Sequence, residues 1–347
     1  MTSTEVKKAV RAPDISVIMP VYNGVEFIRS SLPPLIAMQQ RGEVLEVIVV
    51  DDGSTDDTVP LAEGLGARVI ASGGRLGPGG ARNEAAALAT GDVLWFVDAD
   101  VVVHETAALA MASAFDDERI VAVFGSYDDR PPAENFFSQY KNLVHHYYHQ
   151  RASEDAKTFW SGCGAVRRSP FLSLGGFDVE RFQHPSIEDI ELGYRLLQAG
   201  GKVRLRRDVQ CTHLKVWRFG NLVHTEIFRR AIPWSRLIVS SSGIPNDLNT
   251  GKGEQIRAAI AGLATLVLLA VVAGSMSVWW LVGILCAVLV ANWDLAVLFY
   301  RRKGAWFAMR ALLFHQVYYL YSAASFAWVV LEQLFVRLFG VPGGRAQ

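Results

Sequence analysis

Two pairs of aspartates follow apolar runs that are typical of buried strands. Asp98 and Asp100 stand one residue apart after the run 93–97, and Asp51 and Asp52 follow a second all-apolar run. Carboxylate oxygens at this spacing can hold a hard divalent cation whose remaining ligands are phosphate oxygens and water. A carboxylate at Asp51 or Asp52 can also accept a hydrogen bond from a base N–H or a ribose hydroxyl. Strand-end aspartates often only cap turns or helices, but two such ends close together in the chain indicate a nucleotide site.

The elements that position these pairs alternate between strand and helix. Nearly continuous apolar runs predict strands at 15–21, 45–50, 68–71 and 93–97, and helical patterns lie between them. Such runs are typical of strands that are covered on both faces. The alternation predicts an α/β fold with a doubly wound, mostly parallel sheet. Ligands bind such sheets at the carboxyl ends of the strands, which is where both aspartate pairs fall.

A third acidic pair, Glu188 and Asp189, opens a helical pattern. Ser186 precedes the pair in a position to cap the helix. Apolar side chains recur at helical spacing, which predicts that one face is buried. That face comprises Ile190, Gly193, Tyr194 and Leu197. Because acidic residues favour a helix N-terminus for its dipole alone, the pair by itself permits either a structural or a catalytic role.

Composition sets limits on the function and the environment. The chain has 347 residues, which allows about two domains. Its 34 basic and 34 acidic residues balance, so no global charge favours nucleic acid as a partner. Three cysteines without CxxC spacing argue against a disulfide framework or a zinc site. The polar N-terminus, 1–13, lacks the apolar core of a signal peptide, so we expect it to be flexible and the first domain to stay in the cytosol.

Several blocks taken together resemble glycosyltransferase family 2, which has the GT-A fold. They are Ser-Val-Ile-Met-Pro-Val-Tyr-Asn at 16–23, Val-Val-Asp-Asp-Gly-Ser-Thr-Asp at 49–56, Ala-Arg-Asn at 81–83 and Phe-Val-Asp-Ala-Asp at 96–100. The string at 186–197 resembles the Glu-Asp helix of the same family. The resemblance covers about 14–201, in the family's order. It implies an inverting transferase that uses a UDP- or GDP-linked sugar together with Mn²⁺ or Mg²⁺.

The resemblance also implies a role for each matching residue. The nucleotide sugar would be bound by Pro20, Tyr22, Asn23, Asp51, Asp52 and Arg82. Asp98 would contact the ribose or a water beyond the metal's own ligands, and Asp100 would bind the metal. Asp189 would be the catalytic base that deprotonates the acceptor, and Glu188 would support or orient it.

The remaining candidates have two interpretations each. Trp160, which stands beside the small residue Gly162, can stack on the face of an acceptor sugar or can be a core residue. His213 follows a predicted strand. In some members of the family that this chain resembles, a histidine near this position completes the metal site, although a lone histidine is more often structural. We therefore expect an acceptor side at Trp160 and Gly162, and we keep His213 as a candidate metal ligand.

The C-terminal part has the composition of a membrane region. Aromatic and arginine side chains mix between 216 and 239, as expected of a segment at a membrane interface. Beyond it, three stretches approach the roughly 20 apolar residues that span a bilayer, at 256–273, 278–299 and 311–335. The loop 274–277 is uncharged, whereas 301–310 carries four cations. The positive-inside rule therefore predicts a multi-pass protein of the inner or plasma membrane whose catalytic domain is cytosolic.

These expectations divide the chain into four regions. They are a flexible N-terminus (1–13), a GT-A catalytic domain (14–215), an amphipathic interfacial segment (216–253) and a transmembrane region (254–340). Within the catalytic domain we expect a nucleotide-sugar half (14–105) and an acceptor half (106–215). The membrane region makes membrane lipids expected partners as well.

The function expected from the resemblance and the membrane region is transfer of a sugar to a lipid-linked or other membrane-proximal glycan acceptor. Two alternatives stay open. A processive polysaccharide synthase is disfavoured because its Gln-x-x-Arg-Trp motif is altered between Arg229 and Trp234 and because the spans are few. A catalytically silent membrane scaffold of the same fold is disfavoured because Asp100 and Asp189 are intact.

Overall fold

The computed structural model describes residues 13–240 and 250–340. The expected flexible N-terminus, 1–13, lies outside the described residues except for Pro13, as does the part of the interfacial segment at 241–249. The chain divides into two compact units. The first unit comprises Met1–Gly125, Phe159–Phe177 and Leu192–Cys211, and the second comprises Ser126–Thr158, Asp178–Glu191 and Thr212–Gln347.

The first unit contains most of a mixed sheet. Its strands are β1 (Ile15–Val21), β2 (Glu46–Asp51), β3 (Arg68–Ala71), β4 (Val93–Val97), β5 (Val101–Val103), β6 (Ile120–Tyr127), β8 (Cys163–Arg167) and β9 (Lys202–His213), of which β6 and β9 end in the second unit. The strand order is β3-β2-β1-β4-β8-β6-β9-β5. The pairs β1–β2, β1–β4 and β2–β3 are parallel, whereas β8 is antiparallel to β4 and β6. The predicted α/β sheet is confirmed.

The parallel part of the sheet is the core of the first unit. Every residue of β1 and β4 is buried, as their continuous apolar runs predicted. The helices of this unit are α1 (Val25–Gln40), α2 (Thr58–Gly64), α3 (Gly77–Leu88), α4 (Ala107–Ser113) and α6 (Arg168–Ser173). Because β2, β1 and β4 are parallel neighbours, their carboxyl ends meet at one edge of the sheet.

The helix that carries the third acidic pair is present, but its buried face differs from the predicted one. This helix, α7 (Glu188–Gln198), begins in the second unit and ends in the first. Leu192 and Leu196 are its most buried apolar residues, at 0% and 1% exposure. Of the four residues predicted to be buried, only Gly193 is; Ile190, Tyr194 and Leu197 are half-buried. The helical spacing was predicted correctly. The apolar residues spread over so much of the helix surface that the sequence did not determine which face is buried.

The second unit is mainly helical. It contains α5 (Phe136–Arg151), the short strand β7 (Asp155–Ala156), α8 (Phe219–His224), a π-helix (Thr225–Ala231), α9 (Ile232–Ser240), α10 (Lys252–Val272), α11 (Val278–Ala291) and α12 (Trp293–Phe339). An apolar cluster joins α5 to α12 through Tyr140, Leu143 and Phe299, among others. The helix α5 is therefore packed directly against the C-terminal helices.

Two helices in the described part of the chain, α10 and α12, are long and apolar enough to cross a membrane. The first predicted span, 256–273, coincides closely with α10, and the third, 311–335, lies within α12. The second predicted span, 278–299, is wrong as a single helix because α11 ends at Ala291 and α12 begins at Trp293. Between them, Asn292 leaves helical geometry, and its side-chain amide donates to the carbonyl of Val288 at 2.9 Å. Such local side-chain bonding competes with helix continuation.

A second break divides α12 itself. Gly304 has φ 81°, which lies outside helical geometry, so α12 consists of two helical pieces. A positive φ of this size is strained for residues that carry a Cβ. The cationic stretch that was predicted to be a loop at 301–310 is therefore mostly helical, with its turn confined to Gly304.

Candidate active site

The carboxyl end of β1 is tied to the loop that follows β2. Asn23 adopts φ 48°, a left-handed conformation that asparagine tolerates better than most residues. Its side-chain oxygen accepts from the backbone N–H of Thr55 at 2.7 Å, and its own N–H donates to Ser54 Oγ at 2.9 Å. Tyr22 beside it is 43% exposed. Asn23 is thus held by hydrogen bonds at the carboxyl edge of the sheet, and the predicted residues Tyr22 and Asn23 both lie just beyond the buried Pro20.

Arg75 is a candidate that the sequence analysis missed. It is exposed, its guanidinium lies 4.4 Å from the centre of the Tyr22 ring, and it donates a hydrogen bond to the Tyr22 hydroxyl. A guanidinium over an aromatic face is a favourable contact that also leaves donors free to bind phosphate. The glycine-rich loop around Arg75 does not match a known phosphate-binding motif. The sequence therefore gave no sign that Arg75 lies next to Tyr22.

The two adjacent aspartates at the end of β2 differ in their surroundings. Asp51 is half-buried, and its carboxylate accepts from the backbone N–H of Ser54 at 3.0 Å. Asp52 is 7% exposed and accepts from Ser72 Oγ at 2.7 Å. It also accepts from two backbone N–H groups at the start of α3, those of Leu76 and Gly77, each at 2.9 Å. Asp52 therefore fixes the 72–77 loop and caps α3, whereas Asp51 is the more available carboxylate.

The aspartate at the end of β4 is paired with a buried arginine. Arg82, on α3, is 2% exposed and forms an ion pair with Asp98. The rings of Phe96 and Phe177 lie 6.0 and 5.5 Å from its guanidinium carbon. Its Nε has no hydrogen-bond partner among the described residues. This ion pair connects the end of β4 to helix α3.

Asp100 and the candidate acceptor residues lie close to this ion pair along the backbone. The N–H of Asp98 donates to the carbonyl of Gly162 at 3.1 Å, and its carbonyl accepts from Val101 at 3.0 Å, which forms a turn that carries a half-buried Asp100. A Cβ built at Gly162 would lie 2.6 Å from the Trp160 indole, so only glycine fits beneath that ring. The structure thus brings Trp160, Gly162 and Asp98 together.

Asn83, next to Arg82, is a second residue to which the sequence analysis gave no role. Its side-chain amide donates to the carbonyl of Phe177 at 2.8 Å and accepts from the N–H of Phe177 at 2.9 Å. Arg195 donates to the carbonyls of Leu174 and Gly176 at 2.8 and 2.7 Å. The Gly-Gly-Phe turn at 175–177 is therefore fastened to α3 and to α7.

The third acidic pair lies in the second unit. Glu188 is 7% exposed, and its carboxylate accepts from the N–H of Ser186 at 2.7 Å. Asp189 is half-buried and accepts from the N–H of Ile190 at 2.8 Å. Of the two carboxylates Asp189 is the more accessible, as the predicted base requires.

Residues 16–175 match the family model described as glycosyl transferase family 2. The chain carries a glycosyl transferase family 2 domain. The four blocks between 16 and 100 all lie inside the matched range, so the predicted membership is confirmed. The helix that begins at Glu188 and Asp189 lies beyond the matched residues.

Two known glycosyltransferases are similar to this chain in sequence. The chain is 27% identical over 252 residues to the uncharacterized glycosyltransferase YfnE of Bacillus subtilis (strain 168), covering 57% of this chain and 64% of that protein. It is 29% identical over 256 residues to the O-antigen chain rhamnosyltransferase RfbN of Salmonella typhimurium, covering 70% and 78%. The match thus spans just under two thirds of YfnE.

A solved structure shows the fold. The mannosyltransferase PcManGT from Pyrobaculum calidifontis, solved in complex with GDP-Man and Mn²⁺, superposes with a TM-score of 0.59 at 21% identity. The likeness covers 92% of this chain and 88% of that chain. The GT-A-like fold expected from the family 2 resemblance is confirmed.

The carboxylate of Asp100 is the candidate ligand for a divalent cation. Asp100 supplies a half-buried carboxylate at a strand end, and hard oxygen donors of this kind suit Mn²⁺ and Mg²⁺. Within 13–240 and 250–340, no group of three acidic, histidine or cysteine side chains forms a ready-made metal site. Asp100 therefore fits a cation whose other ligands are phosphate and water, as Mg²⁺ commonly has.

The predicted metal ligand His213 lies in an aromatic stack. Its ring is parallel to that of Tyr127, with centres 4.5 Å apart, and it is 8% exposed. His145 contacts Tyr127 at 4.4 Å and His149 at 4.0 Å. Burial holds the pKa of His145 well below its usual value, so this imidazole is neutral near pH 7. The stack is consistent with a structural role for His213, and its metal ligation stays a prediction.

Proposed function

We propose that this protein is a membrane-bound inverting glycosyltransferase that moves a sugar from a nucleotide-diphosphate sugar to a lipid-linked or membrane-proximal acceptor. One observation carries the donor side of the proposal. The polar residues Asn23, Asp51 and Asp98 follow three neighbouring parallel strands, β1, β2 and β4, at the edge where such sheets bind nucleotides. The test below identifies the nucleotide, UDP or GDP, and the sugar.

Each site residue has a defined task in this reaction. Asp51, with Tyr22 and Asn23, binds the nucleoside, and Arg82 keeps Asp98 in place at the end of β4. Asp100 holds Mn²⁺ or Mg²⁺, which when bound neutralises the diphosphate. Arg75, seated on Tyr22, offers further guanidinium donors to phosphate.

Asp189 acts as the general base. Its carboxylate takes the proton of the acceptor hydroxyl while that oxygen forms a bond to the anomeric carbon. The bond from the anomeric carbon to the diphosphate oxygen breaks, and the diphosphate leaves with the electron pair. Attack opposite the leaving group inverts the anomeric configuration. Glu188, fixed by the Ser186 N–H, holds the turn that carries the base.

Contacts of the cationic stretch 301–310 support the proposed membrane placement. Arg302 forms an ion pair with Asp129, and the guanidinium of Arg310 lies 4.5 Å from the ring centre of Phe136. Asp129 and Phe136 belong to the family 2 range and to the second unit, so this stretch contacts residues of that range. The positive-inside rule assigns both to the cytosol, where nucleotide sugars are available. We infer an inner- or plasma-membrane protein.

The test uses full-length protein in detergent or lipid vesicles. Thermal shift with a panel of UDP- and GDP-sugars and Mn²⁺ identifies the donor, and chelation with EDTA should abolish the shift that depends on the metal. Asp100→Asn should lose metal-stimulated turnover. Asp189→Asn should lower kcat by at least about a hundredfold while donor binding stays nearly intact, because a general base contributes about 10²–10⁴-fold. Asp57→Asn, at an exposed aspartate, is the matched control.

Three outcomes would contradict the proposal in different ways. Wild-type rates in Asp189→Asn would remove the base assignment. The absence of any donor-dependent transfer or hydrolysis would favour a silent scaffold. Products that carry long chains of sugar would instead identify a processive synthase.

A further inference from the structure

The interfacial segment contains a proline, Pro233, and therefore lacks one backbone hydrogen bond of a regular α-helix. Pro233, at the start of α9, stands four residues after Arg229. Proline has no N–H, so the α-helical bond from residue 233 to the carbonyl of Arg229 cannot form. The segment before it, Thr225–Ala231, is a π-helix, a form that frequently marks functional sites. Pro233 therefore leaves the α-helical bond to the carbonyl of Arg229 unmade.

Ser186 supplies a donor to this carbonyl. Its hydroxyl donates to the carbonyl of Arg229 at 2.7 Å, across 43 residues of chain. The backbone N–H of the same serine donates to Glu188 Oε2 at 2.7 Å. Ser186 thus uses both of its donors, one toward the acidic pair and one toward the interfacial segment. It precedes Asp189 by only three residues.

The π-helix that presents this carbonyl is itself anchored on α5. Glu226, 6% exposed, pairs with Lys141 at 2.8 Å and with Arg230 at 3.6 Å. Burial opposes the charge of Arg230, but Glu226 and then Tyr127 and Asp189 raise its pKa. The charge of Asp189 thus contributes to the electrostatics of Arg230. The carbonyl of Arg229, next to Arg230, is carried by a segment that Glu226 anchors on α5.

We propose that Ser186 is a positioning residue for the base: its hydroxyl fastens the turn that carries Glu188 and Asp189 to the interfacial segment. This inference rests on the proposed function, because it assumes that Asp189 is the base. Pro233 complements this contact, because it has no N–H that could form an α-helical bond to the carbonyl that accepts from Ser186. The orientation of the base then depends on the segment predicted to lie at the membrane surface.

The test compares four single variants and one double variant of the full-length enzyme in lipid vesicles. Ser186→Ala should lower kcat about tenfold with the donor KM within twofold, because donor binding does not involve this turn. Ser186→Thr, which keeps the hydroxyl, should recover most of the loss. Ser173→Ala removes a hydroxyl that donates only locally, to the carbonyl of Pro170 at 3.0 Å, and should leave kcat unchanged.

Pro233→Ala probes the other end of the link. This substitution supplies a backbone N–H that can compete for the carbonyl of Arg229, so kcat should fall several-fold. The double variant with Ser186→Ala should be no slower than the slower single variant, since both changes break the same contact. Hydrogen exchange at the amides of 188–191 should accelerate in both single variants and not in Ser173→Ala.

The outcomes separate this inference from the function on which it rests. Absence of transfer by the wild type would reject the proposed function. Transfer by the wild type together with full kcat in Ser186→Ala would overturn only the positioning role. Equal losses in Ser186→Thr and Ser186→Ala, or strictly additive losses in the double variant, would also overturn it. If Ser186→Ala does not fold, Pro233→Ala and Ser186→Thr still decide the question.

Discussion

Arg82 and Asp98 form an ion pair in which the cation is buried and the anion is not. The Arg82 side chain is 3% exposed and that of Asp98 is 36% exposed. A buried guanidinium needs a counter-charge because desolvation of an unpaired cation is costly. Asp98 therefore stabilises the fold whatever it contributes to substrate binding. Many aspartates in a candidate nucleotide site can have this double role.

The first prediction follows from that asymmetry. Asp98→Asn leaves the Arg82 charge buried with only a neutral partner, so we expect a loss of about 1–3 kcal/mol, less than for a fully buried pair because Asp98 is partly in water. The melting temperature should fall by about 3–8 °C. Asp92→Asn, at the exposed opposite end of β4, is the control and should shift it little. Equal melting temperatures in the two variants would contradict the structural role.

Sequence analysis located the strands that carry the candidate donor-binding residues but could not predict the contacts of those residues. Buried apolar runs located β1, β2 and β4, and the strand ends located Asn23, Asp51 and Asp98. What separates Asp51 from Asp52 is the loop 72–77, whose conformation depends on long-range contacts. Both aspartates therefore received the same predicted role, although only the structure shows that Asp52 is engaged by three donors.

The second prediction separates the two aspartates. Asp52→Ala should destabilise the protein by about 2–3 kcal/mol because it removes the acceptor of the Leu76 and Gly77 N–H groups at the start of α3 and one of the two acceptors of the Ser72 hydroxyl. Asp51→Ala loses one backbone contact and should cost less than about 1 kcal/mol, yet raise the donor KM at least tenfold. Thermal unfolding and donor titration of both variants measure the contrast. A reversed pattern would assign nucleotide binding to Asp52.

The C-terminal helices show a different limit of sequence analysis. Hydrophobic length predicted a span at 278–299, but the helix breaks at Asn292, whose side-chain amide and backbone N–H both donate to the carbonyl of Val288. The Tyr319 hydroxyl, 27 residues away, also donates to Asn292 at 3.2 Å. Such tertiary polar contacts are invisible to a window of apolar residues. The positive-inside argument is unaffected, since it depends on charges rather than on helix ends.

The third prediction concerns the turn that Asn83 fastens. Gly176 has φ 68°, and a Cβ added there would lie 2.4 Å from the side-chain oxygen of Asn83. Gly176→Ala should therefore disrupt both Asn83 hydrogen bonds and cost about 2–4 kcal/mol. Gly175→Ala is a matched control, since Gly175 also has positive φ (79°) but no atom within 4 Å of its added Cβ. It should cost about 1 kcal/mol. Similar losses in chemical denaturation would rule out the steric argument.

The fourth prediction is a pH dependence of stability that comes from Glu226. Burial works against ionisation of this side chain, yet Lys141 and Arg230 hold its pKa below the usual value of 4.5. An ionised carboxylate with a lowered pKa stabilises the folded state above its unfolded pKa, and this contribution is lost as the pH falls through the folded pKa. Glu226→Gln removes it at every pH and leaves Lys141 buried without its partner. Near pH 7 we expect a loss of about 3 kcal/mol.

The gap in melting temperature between wild type and Glu226→Gln should therefore be widest near neutral pH. It should narrow from about pH 4.5 downward, because the wild type then loses the same charge. Glu118→Gln, at an exposed glutamate, controls for the general effect of acid. Tryptophan fluorescence of detergent-solubilised protein between pH 7 and pH 3 provides the measurement. A gap that stays constant over this range would show that the Glu226 charge does not hold the π-helix on α5.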